Sequence, residues 1–281
     1  MFNDITIPQI PIGDFFERFI RFLQRNFDFF FEGVNVVIRF LVQNLNNMFI
    51  LLPGILVIII FALLAWWVGS KWLGLFTLIG LTIIYSMGFW NSAVSTLSLV
   101  LVSSMIALLI GIPLGILASK SERASSLIRP ILDFMQTMPA FVYLIPAIIL
   151  FERGAVAGTI ATVIFAMPPV VRLTNLGIRQ VPSDVIEAAK SLGSTGKQLL
   201  FKVQLPISLP TIFAGINQTI MLALSMVVIA SMIGAGGLGQ DVRTALSRVN
   251  IGFGFEAGLA VVILAMIIDR ITQSFGEKAK H

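Results

Sequence analysis

Long apolar runs separated by short polar stretches dominate the chain. Runs of about 20 apolar residues are long enough for an α-helix to cross the hydrocarbon core of a bilayer. Backbone groups find no water there, so helices that satisfy their own hydrogen bonds are favoured. The pattern predicts an all-α, polytopic membrane protein with seven spans, at residues 48–68, 72–90, 92–118, 131–151, 154–171, 207–233 and 255–271.

The first 47 residues have a different pattern. Near residues 14–30, charged and amide side chains recur on one arc of a helix and phenylalanines on the opposite arc, which is typical of an amphipathic helix lying in the membrane interface. We expect neither a span nor a signal peptide before residue 48. The predicted organisation is an interfacial segment (1–47), two accessory transmembrane helices (48–90), a transmembrane domain (91–271) and a cytoplasmic tail (272–281).

Composition and charge support this interpretation. Mean hydropathy is +0.96 and only 12% of residues are charged, against about 25% in soluble domains. If the N-terminus is outside, twelve lysines and arginines face the cytoplasm and seven the other side, as the positive-inside rule predicts. The basic residues form no continuous stripe, so we expect no nucleic-acid partner. The chain has no cysteine, and its single histidine, His281, is the last residue.

Two glycine-rich stretches resemble nucleotide-binding motifs without the required context. GSTGK (193–197) lacks the first glycine and the final Ser or Thr of a phosphate-binding loop, because Ser191 and Gln198 stand there. GAGGLG (234–239) follows an apolar run where a strand is required, so we expect a helix end and a turn there. No catalytic or metal-binding pattern is present, which favours transport. A channel, an ATP-independent carrier and a membrane-anchored scaffold remain alternatives.

A polar stretch at residues 182–206 interrupts the apolar pattern. Pro182, Ser183 and Asp184 predict a helix start with a side-chain cap, and Gly193 predicts a left-handed helix end. Thr195 with Gln198 predicts a capping box for a second short helix ending at Pro206. From the residues alone, this unit is either a helix on the membrane surface or one that inserts into a groove of a partner.

The same stretch resembles the EAA loop of ABC importer permeases, E-A-A-x3-G-x9-I-x-L-P, with Val203 in place of Ile. The resemblance implies that a cytoplasmic coupling helix docks in a cleft of the ATPase subunit. Longer runs at 135–151, 161–206 and 210–239 are similar to permeases of glycine betaine/proline betaine importers, and the similarity covers roughly residues 90–271. The coupling residues implied are Glu187, Ala188, Ala189, Gly193, Leu205 and Pro206.

The resemblance also implies partners. A type I importer has two permease copies, here expected to be identical, two ATPase subunits that bind ATP and Mg, and an external substrate-binding protein. No binding domain follows residue 281, so we expect that protein to be a separate chain. The permease itself would be a multi-pass component of the cell membrane that binds no cofactor. Its solute would be glycine betaine or a relative such as choline, carnitine, proline or another amino acid.

Polar and aromatic residues in two spans are candidates for the translocation path, because polar groups at membrane depth need partners or cavity water. Hydrogen bonding between helices and simple packing are equally open explanations for them. The candidates are Asn217, Gln218, Thr219, Ser225, Phe141 and Tyr143.

Overall fold

The computed structural model describes residues 11–278, which contain no β-strand. The all-α prediction is confirmed. The helices are α1 (Ile12–Asn26), α2 (Asp28–Leu51), α3 (Gly54–Val68), α4 (Lys71–Ser86), α5 (Trp90–Lys120), α6 (Glu122–Thr137), α7 (Leu144–Phe151), α8 (Ala155–Ala166), α9 (Pro168–Arg179), α10 (Ser183–Ser191), α11 (Gly196–Leu199), α12 (Leu205–Ala230), α13 (Leu238–Ser247) and α14 (Ile251–Lys278). A π-helical turn (Leu200–Gln204) joins α11 to α12, and 3₁₀ turns cover Ala140–Tyr143 and Ser231–Ile233.

The bundle has two ends, which we name after residues that lie there. At the Gly234 end, the start of α13 meets α5, where the Leu238 amide donates to Thr96 Oγ1 at 2.8 Å. At the Arg179 end, Arg179 donates to the carbonyl of Ala118 near the end of α5, at 2.8 Å. Helix α5 therefore runs from one end to the other. Helix α14 does the same, since it contacts Phe89 through Phe253 and ends where Lys278 donates to the Trp67 carbonyl.

Helix α2 forms the second half of the predicted interfacial segment. We expected no helix of membrane-crossing length before residue 48, yet α2 has the length and apolar composition for a span. The contacts near both ends of α2, however, lie at the Gly234 end of the bundle. Near its start, Phe31 packs edge-to-face on Phe151, the last residue of α7, and near its end Asn46 accepts a hydrogen bond from Ser95 in the second turn of α5. Helix α2 thus lies across the Gly234 end.

The predicted spans occur as helices, with three changes of boundary. The first predicted span begins later than expected, because α3 starts only after Pro53 and has 15 residues. Helix α4 has 16 residues, so each of the two is about 22–24 Å long. Residues 131–151 are not one straight span, because α6 and the segment Ala140–Phe151 meet at 107°. The span predicted at 154–171 continues to Arg179 through α8 and α9.

Small residues let the central helices approach closely. A Cβ added at Gly115 of α5 would lie 2.6 Å from the Thr174 Cβ and 2.7 Å from the Val171 carbonyl oxygen on α9. On the other side of α9, a Cβ at Gly215 of α12 would lie 3.1 Å from the Val170 Cα. Helix α9 therefore packs between α5 and α12 with its backbone close to both, and the chain continues from α9 into α10.

Candidate functional site

Helix α10 carries the EAA residues and projects from the Arg179 end. It buries none of its side chains, and it packs mainly on α11 and the π-helical turn. Glu187 and Ala188 are exposed, and Ala189 is half-buried. The predicted side-chain cap is wrong: the helix follows Pro182 directly, and neither Ser183 nor Asp184 caps it with a side-chain hydrogen bond. An exposed, slender helix of nine residues is thus available to a partner.

The turn after α10 has the geometry predicted for Gly193. Its φ is +80°, in the left-handed region. The Gly193 amide donates to the Lys190 carbonyl at 2.9 Å and the Ser194 amide to the Ala189 carbonyl at 3.1 Å. These two bonds make up a Schellman motif, which satisfies the last carbonyls of the helix. No heavy atom lies within 4 Å of a Cβ placed at Gly193, so backbone conformation alone requires glycine there.

The next turn confirms the capping box and corrects the predicted end of its helix. The Gln198 amide donates to Thr195 Oγ1 at 3.4 Å, and the Thr195 amide donates to Gln198 Oε1 at 2.9 Å. The helix does not end at Pro206. A π-helical turn, in which the Leu205 amide donates to the Leu200 carbonyl five residues back, carries it into α12. Half-buried Leu205 and exposed Pro206 stand in the first turn of α12, where proline costs little.

The GAGGLG stretch is the predicted helix end and turn, at the opposite end of the bundle. Gly234, Gly236 and Gly237 all have positive φ values, of 85°, 82° and 75°. A Cβ at Gly237 would lie 2.4 Å from Thr96 Oγ1. The glycines therefore serve backbone conformation and close approach.

Two of the path candidates lie on one open face of α12. Gln218 and Ser225 are exposed, together with Ala214 and Met221, which the sequence reading did not single out. The spacing of 4, 3 and 4 residues puts all four on one stripe of the helix. We call these four residues the α12 stripe. The Ser225 hydroxyl donates to the Met221 carbonyl at 3.1 Å, while none of the hydrogen bonds among described residues involves the Gln218 side chain.

The remaining path candidates are Asn217 and Thr219 in α12 and Phe141 and Tyr143 in the 3₁₀ turn after α6. All except Phe141 face neighbouring helices. Thr219 is fully buried. Half-buried Asn217 donates to Asp269 Oδ1 of α14 at 3.1 Å. The Tyr143 ring is buried and its hydroxyl donates to the Met135 carbonyl at 2.6 Å. Their placement favours the packing explanation, whereas Phe141, in a 3₁₀ turn that packs on α12, is 53% exposed.

The sequence reading missed a polar cluster where α10 joins the bundle. Arg179 forms an ion pair with Glu122 at the start of α6 and donates to Asn175 Oδ1 at 2.8 Å, in addition to its bond to α5. Arg179 lies one helical turn before α10, and the sequence pattern identified it only as a cytoplasmic positive charge. No local pattern marks Glu122, 57 residues away, as its partner.

Comparisons with known proteins agree with this geometry. Residues 111–280 match the family described as "Binding-protein-dependent transport system inner membrane component". The chain is 51% identical over 274 residues to a glycine betaine transport system permease protein of Bacillus subtilis (strain 168), covering 98% of this chain and 97% of that protein. It is 52% identical over 279 residues to a glycine betaine/carnitine transport permease protein of Listeria monocytogenes serotype 1/2a (strain 10403S), covering 98% and 99%.

A third relative and a solved structure extend the comparison. The chain is 47% identical over 271 residues to the glycine betaine/proline betaine transport system permease protein of Escherichia coli (strain K12), covering 96% of this chain and 77% of that protein. The MetNI methionine ABC transporter, in an inward-facing conformation, matches 66% of this chain and 93% of its own with a TM-score of 0.61 and 22% identity, which shows a shared fold. The chain belongs to the family of binding-protein-dependent transport system inner membrane components.

Proposed function

We propose that this chain is the permease subunit of an ATP-driven importer that carries glycine betaine or a related compatible solute across the cell membrane for osmoprotection. The observation that carries the proposal is full-length identity above 50% to two permeases named for glycine betaine, and the exposed helix α10, which carries the EAA residues, supports it. The chain is a membrane transport component and not an enzyme. Relatives at 29% identity are named for carnitine and choline, which makes these the alternative solutes.

The distribution of charge supports one orientation. Among described residues, eleven lysines and arginines lie towards the Arg179 end, and seven lie in α1, α2 or near the Gly234 end. We therefore assign the Arg179 end to the cytoplasm and the Gly234 end to the outside. In this orientation the N-terminal helices lie on the outer side and α14 ends in the cytoplasm.

The absence of cysteine makes this orientation directly testable. Single-cysteine variants Ser194→Cys, at a half-buried position in the loop after α10, and Ser247→Cys, at the exposed end of α13, are treated with a membrane-impermeant maleimide in intact cells. We expect labelling at position 247 only, and labelling at 194 only after the membrane is opened. The reverse result would contradict the orientation.

The partners follow from the family. A transport subunit of this kind works with an ATPase and with a substrate-binding protein. We propose two copies of this chain, two ATPase subunits that bind ATP and Mg, and a separate external binding protein. Closure of the ATPase pair on ATP would move α10 as a rigid body. Because α11, the π-helical turn and α12 are continuous, this movement would reach the spans without a flexible joint.

The α12 stripe is our proposal for the path. An amide such as that of Gln218 would lose several kcal/mol of hydrogen bonding if it faced lipid tails, so its exposure on a span indicates that the stripe faces a water-filled path or a second copy. The 3₁₀ turn that contains Phe141 packs on α12. We infer that solute selectivity rests mainly with the binding protein.

Reconstitution tests the function. The chain is purified with its ATPase and binding protein, placed in liposomes and assayed for uptake of labelled glycine betaine. We expect uptake only with ATP and all three components. Uptake by the chain alone would indicate a channel or carrier, and failure to purify with any ATPase would indicate a scaffold.

A charge reversal tests the coupling helix. Glu187→Lys should abolish ATPase docking without affecting membrane insertion. Asp184→Lys is the matched control, because Asp184 is an exposed carboxylate in the first turn of the same helix. Normal uptake with Glu187→Lys, or equal loss in both variants, would argue against a docking role for Glu187.

A further inference from the structure

Arg179 joins three helices at the point where the chain leaves the bundle for α10. It is the last residue of α9, four positions before the start of α10. Its guanidinium donates to the Ala118 carbonyl of α5 and to Asn175 Oδ1 of its own helix, each at 2.8 Å, and pairs with the Glu122 carboxylate of α6. Its side chain is only 30% exposed. An arginine is suited to this role because its planar group offers five donors in a fixed geometry.

Helix α10 itself has little contact with the bundle. None of its residues is buried, and its main packing is on the two turns that follow it. A force applied to α10 therefore enters the bundle through its two chain connections. On the C-terminal side the connection is the continuous helix into α12. On the N-terminal side it is the short segment 180–182, in which Val181 is buried, and then Arg179.

The contacts of Arg179 extend this second connection beyond α9. Through Ala118 it reaches the end of α5, and through Glu122 the first residue of α6. Helix α6 leads through the 107° bend into the 3₁₀ turn, which packs on α12. Two routes therefore lead from α10 to the same region, one along the chain and one through Arg179.

We propose that Arg179 is a positioning residue that passes the displacement of α10 to the ends of α5 and α6, so that ATP hydrolysis stays coupled to rearrangement of the spans. This inference rests on the proposed function of α10 as the coupling helix. It assigns Arg179 no contact with ATP or solute. Without its bonds, α10 and α9 can move while α5 and α6 stay in place.

A second ion pair on the same two helices provides the matched control. Arg172 of α9 pairs with Asp133 of α6, with side chains 42% and 65% exposed. Within residues 11–278 the Arg172 guanidinium forms this one ion pair, and isolated exposed pairs contribute little. Arg172→Gln therefore removes the same type of charge between the same helices without touching α5 or the entry to α10.

The test uses the complete importer in liposomes, with ATP hydrolysis and labelled glycine betaine uptake measured on the same vesicles. For Arg179→Gln we expect ATPase association and hydrolysis to persist while uptake per ATP falls about tenfold or more, because the contacts to Glu122 and Ala118 are both lost; a tenfold change corresponds to about 1.4 kcal/mol. Arg172→Gln should keep the wild-type ratio. Glu122→Gln and Arg179→Lys, which each retain part of the contact set, should give intermediate ratios.

Other outcomes of the same experiment would overturn the proposal. An unchanged ratio in Arg179→Gln, or the same fall in Arg172→Gln, overturns the proposal. If Arg179→Gln does not fold, unchanged ratios in both Glu122→Gln and Arg179→Lys overturn it equally. Failure of the wild-type complex to couple ATP to uptake would instead refute the proposed function, and normal docking of Glu187→Lys would refute the role of α10 on which this inference rests. If the wild type couples ATP to uptake and Glu187→Lys fails to dock, a normal ratio of uptake to ATP in Arg179→Gln would refute this inference alone.

Discussion

Replacing Gly193 by alanine isolates the contribution of one backbone angle to ATPase docking. The structure gives φ +80° at this position and open space around a Cβ. The alanine side chain would therefore not clash, and the free-energy cost of the substitution is that of holding an L-residue in a left-handed conformation, about 1–2 kcal/mol. The Schellman motif that shapes the C-terminal end of α10 forms only in this conformation.

This energy converts into an affinity. If docking requires the left-handed turn, the competent fraction of α10 falls about 5- to 30-fold for 1–2 kcal/mol, and the apparent Kd for the ATPase rises by the same factor. The assay titrates purified ATPase subunits onto the permease in lipid nanodiscs and reads Kd from fluorescence anisotropy. Asparagine tolerates left-handed conformations better than alanine, so Gly193→Asn should bind more tightly than Gly193→Ala.

Gly196 provides the control. It also has open space around a Cβ, but it lies at the first position of α11 and has no positive φ. Gly196→Ala should bind like the wild type. Wild-type affinity of Gly193→Ala, or equal weakening by Gly193→Ala and Gly196→Ala, would refute the conformational argument.

Three further predictions concern packing and the path. Thr96→Val leaves the buried Leu238 amide without its acceptor, so we expect a loss of about 1–3 kcal/mol, visible as a lower Tm in a thermal melt. Gly115→Val, where a Cβ would already meet α9, should prevent a folded, monodisperse preparation by size-exclusion chromatography, whereas Gly33→Val, with open space around it, should not. Gln218→Leu should reduce uptake in liposomes without lowering Tm, because it removes an exposed polar group; an unchanged uptake rate would argue against the α12 stripe as the path.

Local features of the coupling loop could be predicted from the sequence because they depend on neighbouring residues. The left-handed Gly193 and the Thr195–Gln198 capping box each arise within a few residues of chain, and both predictions are confirmed. The predicted stop at Pro206 is wrong for a related reason. Proline excludes a standard α-helical hydrogen bond, but a π-helical turn before it removes that conflict.

Features that depend on distant contacts could not be predicted. Hydropathy identifies spans, yet which side of α12 faces other helices depends on α9, α8 and α14. Thr219 and Gln218 are neighbours in sequence, and one is buried while the other is exposed. The spacing of the α12 stripe can be recognised in the sequence only when the exposed face of α12 is already known. The position of α2 across one end of the bundle follows from contacts with α5 and α7, which hydropathy does not report.

The π-helical turn between the coupling loop and α12 has a geometric consequence. A π turn holds one residue more than an α turn, and each residue of an α-helix advances the chain by about 100° around its axis. Converting Leu200–Gln204 to α geometry without removing a residue would turn α10 by roughly that angle relative to α12. The π conformation of this segment therefore sets the direction in which Glu187 points, so its backbone geometry, as well as its composition, specifies how the ATPase would meet the membrane.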